Sequence, residues 1–247
     1  MQNKFYQPDE QRAEKMRELF AAIARRYDLL NNIMSAGLHR RWKRRLVEMA
    51  GGERGAESEE RKQVLDLCCG TGDIAMMFDA RVVGVDFTAE MLQVASARAG
   101  QRSNTPTLQH SIFWVRADAL RLPFSDASFD VVSIGYGLRN LADLEAGLKE
   151  VLRVLRPGGK LLSLDLGKPA SDVLRALYLD YLRTVLPLLG RVFCGDSDTY
   201  GYILASLKEY PAQRGTKSLM ELCGYRDCGF QEFCGGAMAI NFGTKPR

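Results

Sequence analysis

Short apolar runs rich in valine and leucine recur through the middle of the chain, and each run ends at glycine or at a polar residue. Runs of this kind are typical of buried strands, and segments with helical periodicity lie between them. We predict strands near residues 64–68, 82–86, 112–116, 129–134 and 160–166, and helices near residues 89–99 and 144–155. This alternation predicts a parallel sheet with right-handed crossovers.

The first fifty residues are predicted to be helical. Apolar residues at positions 19, 20, 23 and 27 recur at helical spacing, and a second periodic segment surrounds Trp42, Leu46 and Met49. Asparagines 31 and 32 and the stretch 35–37 predict a turn between the two segments. Residues 51–62 are polar and show no hydrophobic periodicity, so we expect a linker there.

The pattern changes after residue 169. Residues 173–193 carry many leucines and tyrosines, and Pro187 is expected to break this helical run. Six residues share one broad apolar face: Leu174, Leu177, Tyr178, Tyr181, Leu182 and Val185. Such a face suits a helix buried against the sheet or a lid over an apolar substrate, and the two interpretations are compatible. Residues 230–233 and 237–242 predict a closing β-hairpin around glycines 235 and 236.

With 247 residues the chain can bury a sizeable core in one α/β domain with additions. We divide it into an N-terminal helical segment (1–50), the linker (51–62), an α/β core (63–168) and a C-terminal part with the lid helix and hairpin (169–247).

Composition narrows the class of protein. The net charge of +4 is low for a protein that binds nucleic acid. A basic cluster at residues 39–45 is typical of a solvated helix face or of a surface that contacts anionic lipid headgroups. The chain starts with polar residues, and no apolar run approaches the roughly 18 residues of a membrane span. The six cysteines show no C-x-x-C pair. We therefore expect reduced thiols, no metal and a cytoplasmic protein.

A glycine-rich turn follows the first predicted strand, in the segment V-L-D-L-C-C-G-T-G-D of residues 64–73. Gly70 and Gly72 would leave room for the amino-acid and ribose parts of a cofactor, and Thr71 offers a hydroxyl and a backbone N–H. Asp66 is expected to organise the turn or to meet the amino end of the ligand. The spacing D-x-x-x-G-x-G resembles motif I of class I S-adenosylmethionine-dependent methyltransferases. That resemblance implies a Rossmann-like α/β fold with a mostly parallel seven-stranded sheet.

Two further acids follow the next strands. Asp86 is placed to bind two ribose hydroxyls, or alternatively to cap the helix that begins near Thr88. Asp118 is expected to accept a hydrogen bond from an adenine amino group, while the backbone N–H of Ala119 meets a ring nitrogen. The crossover before Asp86 is predicted to be unusually short, since only about two helical turns fit between the two strands.

Three longer signatures resemble the ubiquinone/menaquinone-biosynthesis C-methyltransferases, which act on prenylated benzoquinols or naphthoquinols. They are Y-D-x-x-N-x-x-x-S-x-x-x-H-x-x-W at 27–42, G-L-R-N at 137–140 and R-V-L-R-P-G-G at 153–159. The resemblance spans roughly residues 19 to 168 and implies S-adenosylmethionine as the cofactor.

Carried over by position, the family's cofactor contacts fall on Thr71, Asp86, Asp118 and Ala119. The chain departs from the family in several ways: the first crossover helix is shorter, the segment 100–111 is longer, and two single residues differ. Asp165 stands where the family usually has Glu, and Gly135 stands where ubiquinone-type members often have Ser. The Cys-Cys-Gly-Thr turn at residues 68–71 and Gly135 look more like the naphthoquinone-type members, so the resemblance favours a naphthoquinol over a benzoquinol substrate.

The resemblance also places Arg139 and Asn140 where the quinol and its proton are handled. A ring carbon must attack the sulfonium methyl in line, at about 3–3.5 Å, and it becomes nucleophilic when an adjacent ring oxygen supplies electrons. A fixed guanidinium stabilises that oxyanion without giving up its own proton, so we expect Arg139 to assist electrostatically. The alternatives are a surface salt bridge for Arg139 and a helix N-cap for Asn140. Asp118 completes the set of candidate catalytic residues.

Three aromatic residues are candidates for substrate binding. Tyr27 and Tyr136 are expected to line the quinol pocket, or else to pack in the core. His39 is a candidate base or substrate contact, with a structural contact near Trp42 as the alternative.

The sequence thus predicts an S-adenosylmethionine-dependent C-methyltransferase, most simply one that converts demethylmenaquinol to menaquinol. We expect a lipophilic prenylated quinol substrate, peripheral contact with the inner face of the membrane, no nucleic acid and a homodimer. Two alternatives stay open: an RNA methyltransferase that uses residues 39–45, and a non-catalytic cofactor-binding subunit of a quinone-biosynthesis complex.

Overall fold

The computed structural model describes residues 12–24, 26–51, 62–102, 112–194 and 198–247. Within these residues seven strands form one sheet in the order β3-β2-β1-β4-β5-β7-β6. The strands are β1 (Gln63–Leu67), β2 (Arg81–Asp86), β3 (Ile112–Arg116), β4 (Phe129–Gly135), β5 (Leu155–Leu166), β6 (Arg226–Phe233) and β7 (Met238–Thr244). Strands β1 to β5 are parallel, and β7 runs antiparallel to both β5 and β6. The predicted fold class and the closing hairpin are confirmed.

Eight α-helices lie within the described residues: α1 (Arg12–Ile23), α2 (Tyr27–Met34), α3 (His39–Met49), α4 (Ala89–Arg102), α5 (Leu144–Val154), α6 (Asp172–Cys194), α7 (Asp198–Glu209) and α8 (Ala212–Leu222). None of these helices is both long and apolar enough to cross a bilayer.

The first crossover is even shorter than predicted, because a single 3₁₀ turn at Ala75–Met77 joins β1 to β2. Helix α3 covers this side of the sheet instead. Its Leu46 and Val47 are buried in one apolar cluster with Val64 of β1 and Leu162 of β5. The N-terminal segment thus supplies a layer that a longer crossover helix would supply, and it belongs to the same core as the sheet.

Two predicted breaks are wrong. Asparagines 31 and 32 lie inside α2, so the turn is confined to residues 35–38. Pro187 lies inside the continuous helix α6. The proline removes the hydrogen bond to the carbonyl of Arg183, which is exposed, while the buried Leu182 and Leu186 hold the preceding turn against the core. Most of the predicted linker, residues 52–61, lies outside the described residues.

The order of the strands determines where a ligand can bind. Strand β1 lies between β2 and β4, so the strand order reverses beside it. In open α/β sheets ligands bind at the carboxyl ends of the strands next to such a reversal. The glycine-rich turn after β1 and the loop after β4 both open there. The hairpin β6–β7 completes the same sheet, and the division of the chain at residue 168 stays a prediction.

Candidate active site

The glycine-rich turn combines an open position with a packed one. Gly70 and Gly72 have φ angles of 53° and 79°, in the left-handed region that favours glycine. A Cβ atom on Gly72 would lie 2.5 Å from the Trp114 ring, whereas one on Gly70 would meet nothing closer than the Tyr27 Cε1 atom at 4.0 Å. Gly72 therefore allows close packing, and Gly70 leaves open space at the end of β1.

Asp66 stabilises this turn through two hydrogen bonds. Its carboxylate accepts hydrogen bonds from Ser133 Oγ at 2.7 Å and from the backbone N–H of Ala75 at 2.9 Å. Burial raises the pKa of Asp66 to about 7, although both hydrogen bonds lower it. Its contacts are those of a residue that organises the turn, which was one of its two predicted roles.

Asp86 connects the turn to the start of α4. Its Oδ2 accepts from the Gly70 N–H and its Oδ1 from the Thr88 N–H, both at 2.9 Å. The second contact resembles the helix cap expected of this residue, since α4 begins at Ala89. Burial raises the pKa of Asp86, and the hydrogen bonds from the backbone lower it. Asp86 also lines a cavity, so capping and ligand binding are compatible.

This first cavity has a volume of about 210 Å³. The predicted cofactor residues that line it are Gly70, Asp86, Asp118 and Ala119. An apolar wall of Phe20, Met91 and other residues lies around them. An apolar cleft with a few convergent polar groups suits the base and ribose of a nucleoside.

The remaining predicted cofactor residues lie beside this cavity, in the part of the chain that the structure describes. Asp66 and Thr71 line a smaller space next to it. The hydroxyl of Thr71 donates to Asp28 Oδ1 at 2.9 Å. Gly72 packs against Trp114. Thr71 thus supports the turn through a contact with α2, a partner that the sequence did not indicate.

A second, larger cavity of about 470 Å³ lies among α2, α6, α7 and the turn of the hairpin. Its lining is largely apolar and includes Ile23, Met34, Leu166, Leu182 and Ile203. Tyr27 and Tyr136 line both this cavity and the first one. The two cavities therefore adjoin at these two tyrosines, which were predicted to line a substrate pocket.

Arg139 lies deep in the second cavity. Its Nη1 atom donates to Asp165 Oδ1 at 2.6 Å and to the Tyr136 carbonyl at 2.9 Å, and its Nη2 donates to Tyr202 Oη at 3.4 Å. Burial lowers the pKa of Arg139, but the charge and hydrogen bond of Asp165, together with Tyr202 and Tyr27, raise it above its usual value, so the guanidinium stays charged. The alternative of a surface salt bridge is wrong, since the ion pair is buried. Asp165, noted only as a departure from the family pattern, is the partner of Arg139.

Asn140 does not cap a helix. Asp143 caps α5 instead, accepting from the Ala146 N–H at 2.9 Å. The Asn140 side chain donates from Nδ2 to the Tyr136 carbonyl at 3.1 Å and lines the first cavity. Its Oδ1 atom is buried and has no hydrogen-bond partner in the described structure. An acceptor left open in this way favours a ligand with a donor in the cavity.

His39 begins α3 and lines the second cavity. Its Nδ1 lies 2.8 Å from the Ser35 hydroxyl. Burial lowers the pKa of His39 to about 4, and the nearby charge of Lys43 lowers it further. The imidazole is therefore neutral at physiological pH, and its contact with Ser35 anchors the turn between α2 and α3.

A network of charges joins α2 and α4 to the glycine-rich turn. Arg98 of α4 donates from Nη1 to Asp28 Oδ2 at 2.6 Å and from Nη2 to Asp73 Oδ1. Lys43 donates to the other oxygen of Asp73 at 3.1 Å. The sequence indicated Asp28 only as part of a signature, and it offered no signal for Arg98, because pairing over 70 residues is decided by the fold.

Comparison with known proteins identifies the family. The model of the ubiE/COQ5 methyltransferase family matches residues 8–245. A protein from Stutzerimonas stutzeri, named ubiquinone/menaquinone biosynthesis C-methyltransferase UbiE, is 36% identical over 97% of this chain and 92% of its own length. The protein of the same name from Azotobacter vinelandii is 38% identical over 97% and 93%.

Solved structures show the same fold at lower identity. An S-adenosylmethionine-dependent methyltransferase from Thermotoga maritima superposes with a TM-score of 0.58 at 19% identity, over 92% of this chain and 99% of its own. Another from Aquifex aeolicus gives 0.56 at 15% identity, over 82% and 89%. Sequence and fold together establish that the chain is an S-adenosylmethionine-dependent methyltransferase and belongs to the ubiE/COQ5 methyltransferase family.

Proposed function

We propose that the protein methylates a ring carbon of a prenylated quinol in quinone biosynthesis, with demethylmenaquinol as the preferred substrate. The observation that carries this proposal is the pair of adjoining cavities. One has polar groups for a nucleoside cofactor, and the other is larger and lined mostly by apolar residues. The relatives act in ubiquinone and menaquinone biosynthesis, as their names state.

The residues of the first cavity fit S-adenosylmethionine. Asp86, Asp118 and the backbone of Ala119 would hold its adenosine part, and the open space at Gly70 admits it close to the backbone. The unpaired Oδ1 atom of Asn140 is a further acceptor. When bound, this cofactor supplies an electrophilic methyl group.

The chain's own residues then orient and activate the ring. Tyr27 and Tyr136 lie where the cavities adjoin and exclude water from the space between cofactor and ring. Burial raises the pKa of both hydroxyls, so they stay neutral. Arg139, kept charged by Asp165, stabilises the oxyanion that a ring hydroxyl forms when it loses its proton to water. The oxygen then gives up this charge as the neighbouring ring carbon takes the methyl group and the bond from sulfur to methyl breaks, and the methylated carbon loses its own proton to solvent.

The preference for a naphthoquinol rests on residues beside the first cavity. Gly135 lines it and lacks the hydroxyl that serine supplies in many ubiquinone-type members. A Cβ atom at Gly135 would lie 2.4 Å from Ile74 Cδ1, so this chain has filled the space with an apolar side chain. The names of the relatives cover both quinone types, and the preference is therefore a matter for assay.

A peripheral membrane contact is part of this proposal. Ile33, Leu38 and Tyr181 line the second cavity and are exposed, so its entrance has an apolar rim. The rim continues along α6 at Val173 and Leu177, which are 70% and 64% exposed. Exposed arginines of α3, close in sequence to Leu38, add positive charge: Arg40, Arg41 and Arg44. We propose that an anionic bilayer contacts this rim, because an apolar patch close to cationic side chains suits such a surface. The expected homodimer stays a prediction.

The test uses purified protein, methyl-labelled S-adenosylmethionine and two reduced substrates in detergent micelles, a demethylmenaquinol and a benzoquinol analogue. Label in the naphthoquinol supports the proposal, and label in the benzoquinol alone reverses the substrate preference. The matched variant is Arg139→Lys, which keeps the charge beside Asp165 but loses the planar fork, and it should lose at least about tenfold in kcat/KM.

If the folded protein binds S-adenosylmethionine and labels neither quinol, the proposal is wrong. Label that enters RNA in a parallel reaction would then support the alternative of an RNA methyltransferase.

A further inference from the structure

Two polar side-chain atoms in the second cavity are buried without a hydrogen-bond partner in the described structure. They are Nδ2 of Asn31 on α2 and Oη of Tyr178 on α6. Both residues line the cavity. Leaving a polar group buried and unpaired costs about 1–3 kcal/mol, so two such atoms in one apolar cavity need an explanation.

The next tyrosine of α6, unlike Tyr178, has a hydrogen-bonded hydroxyl. Tyr181 lies one turn after Tyr178, and its hydroxyl donates to the Met34 carbonyl at 2.9 Å, which ties α6 to the end of α2. Leu182 is buried and keeps this side of α6 against the core. The Tyr178 hydroxyl is thus held in place by its neighbours and is itself left open.

The surroundings of Tyr178 keep its hydroxyl protonated. Burial raises the pKa of Tyr178, and the positive charge of Arg139 lowers it by less, so the group remains a neutral donor. The amide of Asn31 lies toward the Tyr27 hydroxyl and lowers the pKa of Tyr27 by hydrogen bonding. Nδ2 makes no hydrogen bond of good geometry there, and of its two N–H groups at least one is open to a ligand. Both open atoms are therefore donors near Arg139 or near the junction, where an electron-rich oxygen of a ligand would be stabilised.

We propose that Tyr178 Oη and Asn31 Nδ2 donate hydrogen bonds to the ring oxygens of the quinol and so hold its reacting carbon at the junction of the cavities. This inference rests on the proposed function and deepens it, because it assigns the contacts that orient the ring. Neither residue exchanges a proton in this role. A hydrophobic pocket alone discriminates weakly between rings, whereas a donor aimed at a ring oxygen selects strongly for that oxygen.

The experiment compares Tyr178→Phe with Tyr225→Phe, the same substitution at a buried tyrosine that lines neither cavity and whose hydroxyl donates to the Leu148 carbonyl at 2.8 Å. Removing the Tyr178 hydroxyl takes away an unpaired buried group, so the Tm of the protein without quinol should stay the same or rise. The kcat/KM for quinol should fall about 10- to 100-fold, as expected for a lost hydrogen bond to a charged oxygen. Tyr225→Phe should lower the Tm and leave kcat/KM within about threefold.

Substrate analogues make the assignment sharper. In two naphthol analogues, one or the other ring oxygen is replaced by hydrogen. Wild type and Tyr178→Phe should show nearly equal kcat/KM on the analogue that lacks the oxygen bound by Tyr178. On the analogue that keeps this oxygen, the kcat/KM of Tyr178→Phe should still be lower than that of wild type. Asn31→Ala should show its own dependence on one oxygen in the same assay.

A folded Tyr178→Phe variant with wild-type kcat/KM would overturn this inference and leave the proposed function intact. So would an equal loss on both analogues, since the hydroxyl would then act indirectly. If the wild-type protein methylates no quinol at all, the proposed function fails first, and the two failures are thereby distinguished.

Discussion

Asp66 and His39 are buried ionisable residues whose pKa values are shifted in opposite directions. Asp66 has its pKa raised from 3.8 to about 7, so its ionisation favours the unfolded chain. The free energy of unfolding due to Asp66 therefore falls as the pH rises from about 4 to 7, and it is constant above that. His39 has its pKa lowered from 6.5 to about 4, so its contribution rises with pH between those values.

We predict that Asp66→Asn gains stability relative to wild type as the pH rises from 5 to 7. The amide keeps a hydrogen bond to the Ala75 N–H and removes the buried charge, and the gain should approach about 1.4 kcal/mol per pH unit. Urea unfolding of both proteins at several pH values measures the difference. His39→Asn is the matched control, since its stability relative to wild type should fall with pH from about 4 to 6.5. A difference between Asp66→Asn and wild type that does not change with pH would contradict the shifted pKa.

The two glycines of the turn after β1 should respond differently to the same substitution. Gly70→Ala places a Cβ atom in open space, so its stability cost is only the left-handed backbone, about 1–2 kcal/mol. Gly72→Ala adds a clash with Trp114 and should cost about 2–4 kcal/mol. Because Gly70 lines the first cavity, Gly70→Ala should also weaken S-adenosylmethionine binding. Urea unfolding and calorimetric titration test both effects, and equal losses of stability would be inconsistent with this packing.

At the scale of secondary-structure elements, an N-terminal helix covers a part of the sheet that the short crossover between β1 and β2 leaves uncovered. The 3₁₀ turn between β1 and β2 is too short to cover the sheet, and α3 packs there instead. Helix α2 brings Tyr27 to the junction of the cavities and is held to the glycine-rich turn by charge contacts. The predicted helices thus become part of the site through a few long-range pairs.

We predict that Arg98→Met loosens α2 from the turn. The substitution removes donors to Asp28 and Asp73, both partly buried, and should lower the free energy of unfolding by about 1–3 kcal/mol. Amide hydrogen exchange in Tyr27–Met34 should become faster, and S-adenosylmethionine binding several-fold weaker. Arg17→Lys, in an exposed pair with Glu14, is the control and should leave all three unchanged. Unchanged exchange in α2 would show that the charge contacts do not hold this helix.

At the scale of the whole molecule, exposed apolar residues line the second cavity, and exposed arginines follow Leu38 in sequence. We predict that the protein binds vesicles containing anionic lipid, and that binding weakens with salt. Replacing Arg40 and Arg41 by Gln should weaken it by about fivefold for each arginine. Val173→Ser with Leu177→Ser should weaken it further, as measured by vesicle sedimentation. Leu222→Ser on α8, where the leucine is 84% exposed, is the control.

Vesicle binding that does not change with lipid charge or with either set of substitutions would contradict the proposal that this rim contacts a bilayer. Self-association that is lost in the doubly substituted α6 variant would assign the rim to a second copy of the chain.

Features that depend on local pattern could be predicted from the amino-acid sequence. Buried strands, the turn with its glycines and the hairpin near residues 235 and 236 follow from hydrophobic periodicity and backbone preference, which act over a few residues. Together with the three signatures, these were enough for the fold class, the cofactor and the family. Tyr27 and Tyr136 were predicted either to line a pocket or to pack in the core, and both line the cavities.

Which side chains contact each other depends on how the elements pack in the folded protein. The pairs Arg139–Asp165 and Arg98–Asp28, and the open hydroxyl of Tyr178, depend on contacts between elements far apart in sequence. Pro187 is a further example, because the packing of α6 against the core outweighs the local preference of proline to end a helix. Local propensity amounts to about 1–3 kcal/mol at such positions, and burial of several apolar side chains exceeds it.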